Sequence, residues 1–184
     1  FVGMSAVMSL TLEGVGAEPI RARALSYVIT PGYAEALSLR LRQGRLFDAR
    51  DVSAGIRPII INEEFARVHL RDGRVVGRRF KASFAPDAVV EIVGVVGDVL
   101  KDGLDTAPRP EIYNVPRDNF GLPPAMNLAI RTAGDPLALV APVRQVVRDL
   151  DPAAAVDEIE TLGSRVSASV SQPLRQLTSS GQPI

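Results

Sequence analysis

His69 comes first among the residues that could do chemistry, because an imidazole near neutral pH serves as a general base or a metal ligand. It is the only histidine among 184 residues, and there is no cysteine. Neither a zinc site nor a Ser–His or Cys–His pair can be assembled conventionally from that inventory, and disulfides are excluded. His69 shares a predicted helix face with Phe65 and reads as a packing residue. Asp98, Asp102 and Asp105 form an acidic loop around Gly103, yet they lack the alternating Asp/Asn spacing and glycine of a calcium loop. They read as a solvated turn. Gly94-Val-Val-Gly97 is a partial dinucleotide fingerprint without its third glycine or the helix that should follow, and no Gly-x4-Gly-Lys-Ser/Thr occurs. Gly94 and Gly97 therefore read as positions of close backbone approach or strand bending, with Gly97→Val expected to cost roughly 1–3 kcal/mol. Arg67, Arg71, Arg74, Arg78 and Arg79 make one basic concentration, relieved by Asp72. A solvated face is its default reading; an anionic partner surface or lipid headgroups is the other. No catalytic, cofactor-binding or metal-ligating residue is assigned, and no cofactor is expected.

The elements that would position such residues follow from composition and pattern. With 46% hydrophobic and 23% charged residues, the chain is of ordinary globular type and long enough for one cored domain or two small lobes. Lysine plus arginine and aspartate plus glutamate both number 21, a balance that argues against a nucleic-acid module. Aromatics are only 5% and tryptophan is absent, so aliphatic residues must make the core. No apolar run approaches the roughly 18–20 residues of a membrane span. The abrupt start on Phe1 and the polar end read as a piece cut from something longer.

The run from Val89 to Val96, broken only by Glu91 and Gly94, predicts a strand buried on both faces, and Glu111–Val115 predicts a strand returning beside it. Arg21–Ile29 and Pro58–Ile61 read as strands, as does Gly77–Phe84, joined to Val89 at Ala85-Pro86-Asp87. Two further strands are expected at Met126–Arg131 and Ala154–Ile159. Thr30-Pro31 reads as the start of a helix ending near Leu39, and Asn62 as the cap of a helix whose first turn holds Glu63 and Glu64. The clearest helix opens at Asp135-Pro136, with Val140, Val143, Val147 and Leu150 in one stripe. The fold class expected is α+β with mixed sheets and flanking helices.

The order of motifs carries a resemblance. Thr30-Pro-Gly-Tyr33, Gln43-Gly-Arg45-Leu-Phe47 with Asp51, Ile60-Ile-Asn-Glu63 with Ala66-Arg67, Val76-Gly-Arg78, Ile92-Val-Gly-Val-Val-Gly-Asp98, Pro110-Glu-Ile-Tyr113, and Arg131/Asp135-Pro136/Val143-Arg144 occur in that sequence. From about Arg23 to Leu174, the chain resembles the MacB-like periplasmic core domain of FtsX-like ABC transporter permeases. The resemblance implies two α+β lobes, one discontinuous: residues 1–51 plus 119–175, with 52–118 inserted and 176–184 a polar tail. Flexible crossings between lobes are expected at Asp48–Arg57 and Pro116–Pro124. It implies an extracytoplasmic, periplasmic part of a bacterial inner-membrane protein, noncatalytic, transmitting conformational change between membrane helices and an external partner or substrate. Its partners would be the membrane helices of its own permease, a separate ATPase subunit acting through them, and a periplasmic adaptor or exported substrate, with no nucleic acid. The alternative is a free-standing extracytoplasmic solute-binding or sensor module.

Overall fold

The structure, a computed structural model, describes residues 6–14, 20–52, 55–70, 75–82, 85–99, 107–116, 126–164 and 167. The chain divides into two compact units, Phe1–Val99 with Pro108–Ile130, and Leu100–Ala107 with Arg131–Ile184. Among the described residues, the first unit holds seven strands: β1 Ala6–Gly14, β2 Ile20–Val28, β3 Leu41–Gly44, β4 Arg57–Asn62, β5 Arg79–Ala82, β6 Ala85–Val96 and β7 Glu111–Asn114. It also holds two helices, α1 Tyr33–Ala36 and α2 Glu63–His69. In the second unit a short 3-10 turn, Pro136–Leu139, leads into α3 Val140–Leu150.

The strands form one mixed sheet in the order β3-β6-β4-β7-β2-β1-β5, and β5 pairs with β6 as well as β1, so six strands close into a ring. β2 runs parallel to β7 and β4 parallel to β6, while the remaining pairings are antiparallel. The fold is α+β with a mixed sheet, as the alternation of elements predicts. Its strands come from both residues 1–51 and residues 52–118, because β2 pairs with β7 and β3 with β6.

Side-chain alternation along the strands builds two apolar clusters, one on each face of the sheet. Ala22, Ala24, Ile59, Ile61, Ile112, Phe80, Val90, Ile92 and Val95 pack on one face with Phe65 of α2. Tyr27, Ile60, Tyr113 and Val96 pack on the other with Tyr33 and Phe47. β6 would lose this alternation if it ran straight, since Ile92 and Val95 are three apart. A bulge corrects it: Ile59 is opposite Ile92, but Ile60 is opposite Gly94, so Val93 is the extra residue and the parity of β6 reverses there. Beside the bulge, an added Cβ on Gly94 would meet the Arg45 carbonyl oxygen at 2.2 Å. The tight approach expected of Gly94 is therefore present. Gly97 is different, because its Cβ would meet nothing closer than Arg42 Nε at 3.5 Å.

Several local expectations need correction. α1 begins at Tyr33 after Gly32, whose left-handed φ of 91° redirects the chain, so Thr30 supplies only its carbonyl, 3.2 Å from the Tyr33 amide. Ala85-Pro86-Asp87 belongs to β6 and not to a connection, since Ala85 already pairs with Ala82. β3 has no apolar alternation to announce it, and all four of its residues are exposed. The stretches 126–131 and 154–159 have strand-like patterns but belong to no ladder among the described residues; a pattern alone supplies no partner for backbone N–H and C=O groups. The crossing at Asp48–Arg57 begins as a 3-10 turn, Ala49–Val52, with Asp51 only 3% exposed. Most of Pro116–Pro124, and the 176–184 tail, lie outside the described residues.

These contacts rank the two glycines. Gly94→Ala should lower the stability of the chain by about 1–3 kcal/mol, because the added methyl meets backbone that cannot rotate away. Gly97→Ala should change it by less than about 0.5 kcal/mol. Urea unfolding of the two variants checks the order, and equal losses would contradict it.

Candidate functional site

Asn62 ends β4 and caps α2, and its side chain is the most connected polar group described. Its extended backbone (φ −88°, ψ 169°) lets Oδ1 accept from the Phe65 amide at 3.0 Å, as the sequence predicts. The same oxygen accepts from the Glu111 amide at 2.8 Å, at the start of β7. Nδ2 donates to Asp98 Oδ1 at 2.7 Å and to the Arg109 carbonyl at 2.8 Å. Asp98 Oδ1 also accepts from the Glu64 amide at 2.9 Å. A primary amide has two donors and one carbonyl oxygen with two lone pairs, so this side chain, 1% exposed, is fully satisfied.

On β7, alternation places Glu111 and Tyr113 on one face, where both are buried and Tyr113 Oη donates to Glu111 Oε2. Tyr27 stacks on Tyr113 with ring centroids 5.6 Å apart. Burial, and then the Glu111 charge, pushes the Tyr113 and Tyr33 phenols far above the ordinary range. Both therefore stay neutral at ordinary pH, and Tyr113 serves as a donor to Glu111.

The third polar group is a stapled corner after β3. The Arg45 guanidinium grips Asp51 with two hydrogen bonds of 2.7 and 2.8 Å, and the Asp48 amide donates to Asp51 at 2.8 Å. Arg50 donates to Asp48 through its side chain at 2.8 and 3.1 Å and through its amide at 2.9 Å. The Arg45 hydrogen bonds hold the Asp51 carboxyl below the usual range, against the opposing effect of burial. The Arg50 side-chain bonds, then its amide, bring Asp48 down to about 2.

The residues singled out from sequence are not brought together. His69 lies in the last turn of α2 with its ring tilted against Phe65, centroids 4.9 Å apart, and its buried Nε2 meets no hydrogen-bond partner among the described residues. Burial lowers its pKa, opposed by a hydrogen bond to the Arg23 backbone and by the Glu64 charge. Asp98 serves the Asn62 network; Asp102 and Asp105 lie outside the described residues. Arg67 pairs with Glu64 at 2.6 Å, Arg79 pairs with Glu91 at 2.6 Å, and the Arg78 guanidinium stands 5.4 Å from the Phe80 ring centroid. Arg71 and Arg74 lie outside the described residues. Among the described residues, no group of three or more histidines and acids is placed to hold a metal ion. Sequence reasoning found the Asn62 cap and missed its other three bonds, for which the polar end of an otherwise apolar strand was the available signal. It also missed Glu111–Tyr113, whose signal was an acid inside a short extended run.

Comparison with known proteins places these features in context. The family described as the MacB-like periplasmic core domain matches residues 4–162. No curated protein matches. Among solved structures, the periplasmic region of MacB from Actinobacillus actinomycetemcomitans aligns over 97% of this chain and 75% of its own, with a TM-score of 0.54 and 14% identity. The extracellular domain of the noncanonic ABC-type transporter YknZ from Gram-positive bacteria aligns over 60% of this chain with 23% identity and a TM-score of 0.44. The chain covers 51% of that domain. A domain of a putative permease protein from Porphyromonas gingivalis aligns over 88% of this chain and 75% of its own, with 16% identity and a TM-score of 0.47.

Two measurements test the polar groups. Asn62→Ala should cost about 2–4 kcal/mol in chemical unfolding, from the lost cap and the stranded Glu111 amide; a loss below about 1 kcal/mol would contradict the network. Asp48 and Asp51 both have depressed folded pKa values. Their contribution is complete above the unfolded carboxylate value of about 3.9 and is lost as pH falls through the folded values, to about 2 for Asp48. Asp51→Asn should therefore be less stable than the parent at neutral pH and lose less between about pH 4 and pH 2. Parallel stability curves would contradict the corner.

Proposed function

Because the chain belongs to the MacB-like periplasmic core domain family, we propose that it acts as a noncatalytic extracytoplasmic domain of an ABC-type permease, passing conformational change between membrane helices and an external partner or substrate. The observation that carries this reading is the Asn62 network. It ties the end of β4, the first turn of α2, the end of β6 and the start of β7 to a single side chain. Elements held at one point move as a body, and a body is what a transmitting domain requires.

Noncatalysis is supported by how the polar side chains are used. The buried phenols are held neutral, Asp51 is committed to Arg45, and His69 lies against Phe65. No helix among the described residues is long and apolar enough to cross a membrane. The membrane helices of this reading belong to other parts of a permease, with ATP hydrolysed on a separate subunit. A periplasmic adaptor or the exported substrate is the external contact.

The test is made in the parent permease, assembled with its ATPase and assayed below the unfolding temperature of each variant. Asn62→Ala should reduce transport while ATP hydrolysis continues, so that substrate moved per ATP falls. Unchanged transport per ATP would contradict transmission and leave a static docking platform. The 184-residue chain alone should hydrolyse no ATP, ester, peptide or glycoside bond; activity that survives repurification and disappears in His69→Ala would contradict noncatalysis. A parent reading frame without flanking membrane spans, together with a small solute that raises the unfolding temperature, would favour the free-standing binding module.

A further inference from the structure

The outer edge of β6 is shared by two strands. β5 takes its first part, where Ile92 donates to the Arg78 carbonyl at 3.0 Å. β3 takes its last part, pairing Leu41 with Val96, Gln43 with Val95 and Gly44 with Gly94. β3 is also the terminal strand in the order and the one that lies outside the closed ring.

The residues around β3 alternate between anchored and unanchored. On the N-terminal side, Tyr33 and Ala34 of α1 are buried, and the Leu39 amide bonds to the Ala34 carbonyl at 2.8 Å. On the C-terminal side, Arg45 bonds to the Val93 carbonyl at 2.9 Å and grips Asp51, while Phe47 is 5% exposed. Between these anchors every residue from 40 to 44 is exposed, so the segment has no side chain in either apolar cluster. What holds it is its backbone pairing with β6, including Gly97 N–H to the Arg40 carbonyl at 2.8 Å, and one half-exposed ion pair, Arg42 with Glu63 at 3.1 Å. Left-handed residues stand at both ends: Ser38 at φ 54° and Gly44 at φ 72°. Few buried apolar contacts and exposed backbone bonds are the attributes of segments that open locally.

We propose that residues 40–44 form a detachable strap that lifts from β6 as a unit, between backbone hinges at Ser38 and Gly44, while the six-stranded ring and both anchors stay folded. Lifting frees the N–H and C=O groups that β6 offers to β3, giving the domain a sheet edge that it does not otherwise present. The proposal is independent of the transmission role and concerns the domain by itself.

Native-state amide hydrogen exchange on the 184-residue chain, over a range of low urea concentrations, tests it. The Gly97 amide, which bonds to the strap, should exchange at least tenfold faster than the Arg45 and Ile92 amides after correction for intrinsic rates, with little urea dependence. Gly44→Ala, which puts a Cβ at 2.2 Å from the Val93 carbonyl oxygen in a left-handed position, should speed Gly97 exchange and leave Ile92 exchange unchanged. Arg42→Ala should do the same to a smaller degree. Gly97, Arg45 and Ile92 amides exchanging together, with the urea dependence of global unfolding, would overturn the proposal. So would a Gly44→Ala variant in which all three accelerate in parallel.

Discussion

The side chain of Asn62 makes four hydrogen bonds and has no capacity for a fifth. Three of its partners lie 36, 47 and 49 residues away in sequence, at Asp98, Arg109 and Glu111. Removing a primary amide from water is unfavourable unless each donor and acceptor is matched, and in a low-dielectric interior a partly matched network is worse than none. The four partners must therefore be in place together. This couples the end of β4 to the end of β6 and the start of β7 at the same point where α2 begins.

The sheet is arranged around that convergence. β4 lies between β6 and β7, parallel to one and antiparallel to the other, so Asn62 comes beside Val96 and just beyond the β7 pairing that ends at Ile61 and Ile112. The bulge at Val93 then lets β6 keep Val95 in the cluster with Phe65 and turn Val96 into the cluster with Tyr113. Without that reversal, both valines would point to the wrong face. The backbone approach of Gly94 to Arg45 lies at the same irregularity. A polar anchor and a backbone irregularity thus meet at the centre of the first unit, where β4, β6, β7 and α2 converge.

Much of this was legible in the residues. The β-branched run Val89–Val96 read as a strand buried on both faces, the all-apolar Pro58–Ile61 and the extended Glu111–Val115 as further strands, Asn62 before Glu63-Glu64 as a helix cap, and the order of short motifs carried the family resemblance. What was illegible depended on long-range geometry. Leu41–Gly44 has no strand pattern because neither of its faces is buried; only pairing with β6 makes it a strand. Asp48–Arg57 reads as a polar crossing, and nothing in its pattern shows the two-pronged contact of Arg45 with Asp51 at its start. Gly94 and Gly97 look equivalent in sequence, and only the position of Arg45 separates them. Asp98 looked like part of a solvated acidic turn, yet one of its oxygens serves both Asn62 and the first turn of α2.

The claim on which the rest depends is that Asn62 and its partners act as a unit, and a double-mutant cycle measures that directly. Asn62→Ala, Asp98→Ala and the double variant, compared by urea unfolding in one buffer, give the coupling between the two side chains. The account predicts a coupling of at least about 1 kcal/mol, since either substitution alone already disables the shared hydrogen bond. Additive losses, with coupling near zero, would mean that the Asn62–Asp98 bond contributes nothing and that the end of β6 is not tied to β4 and α2 through this side chain.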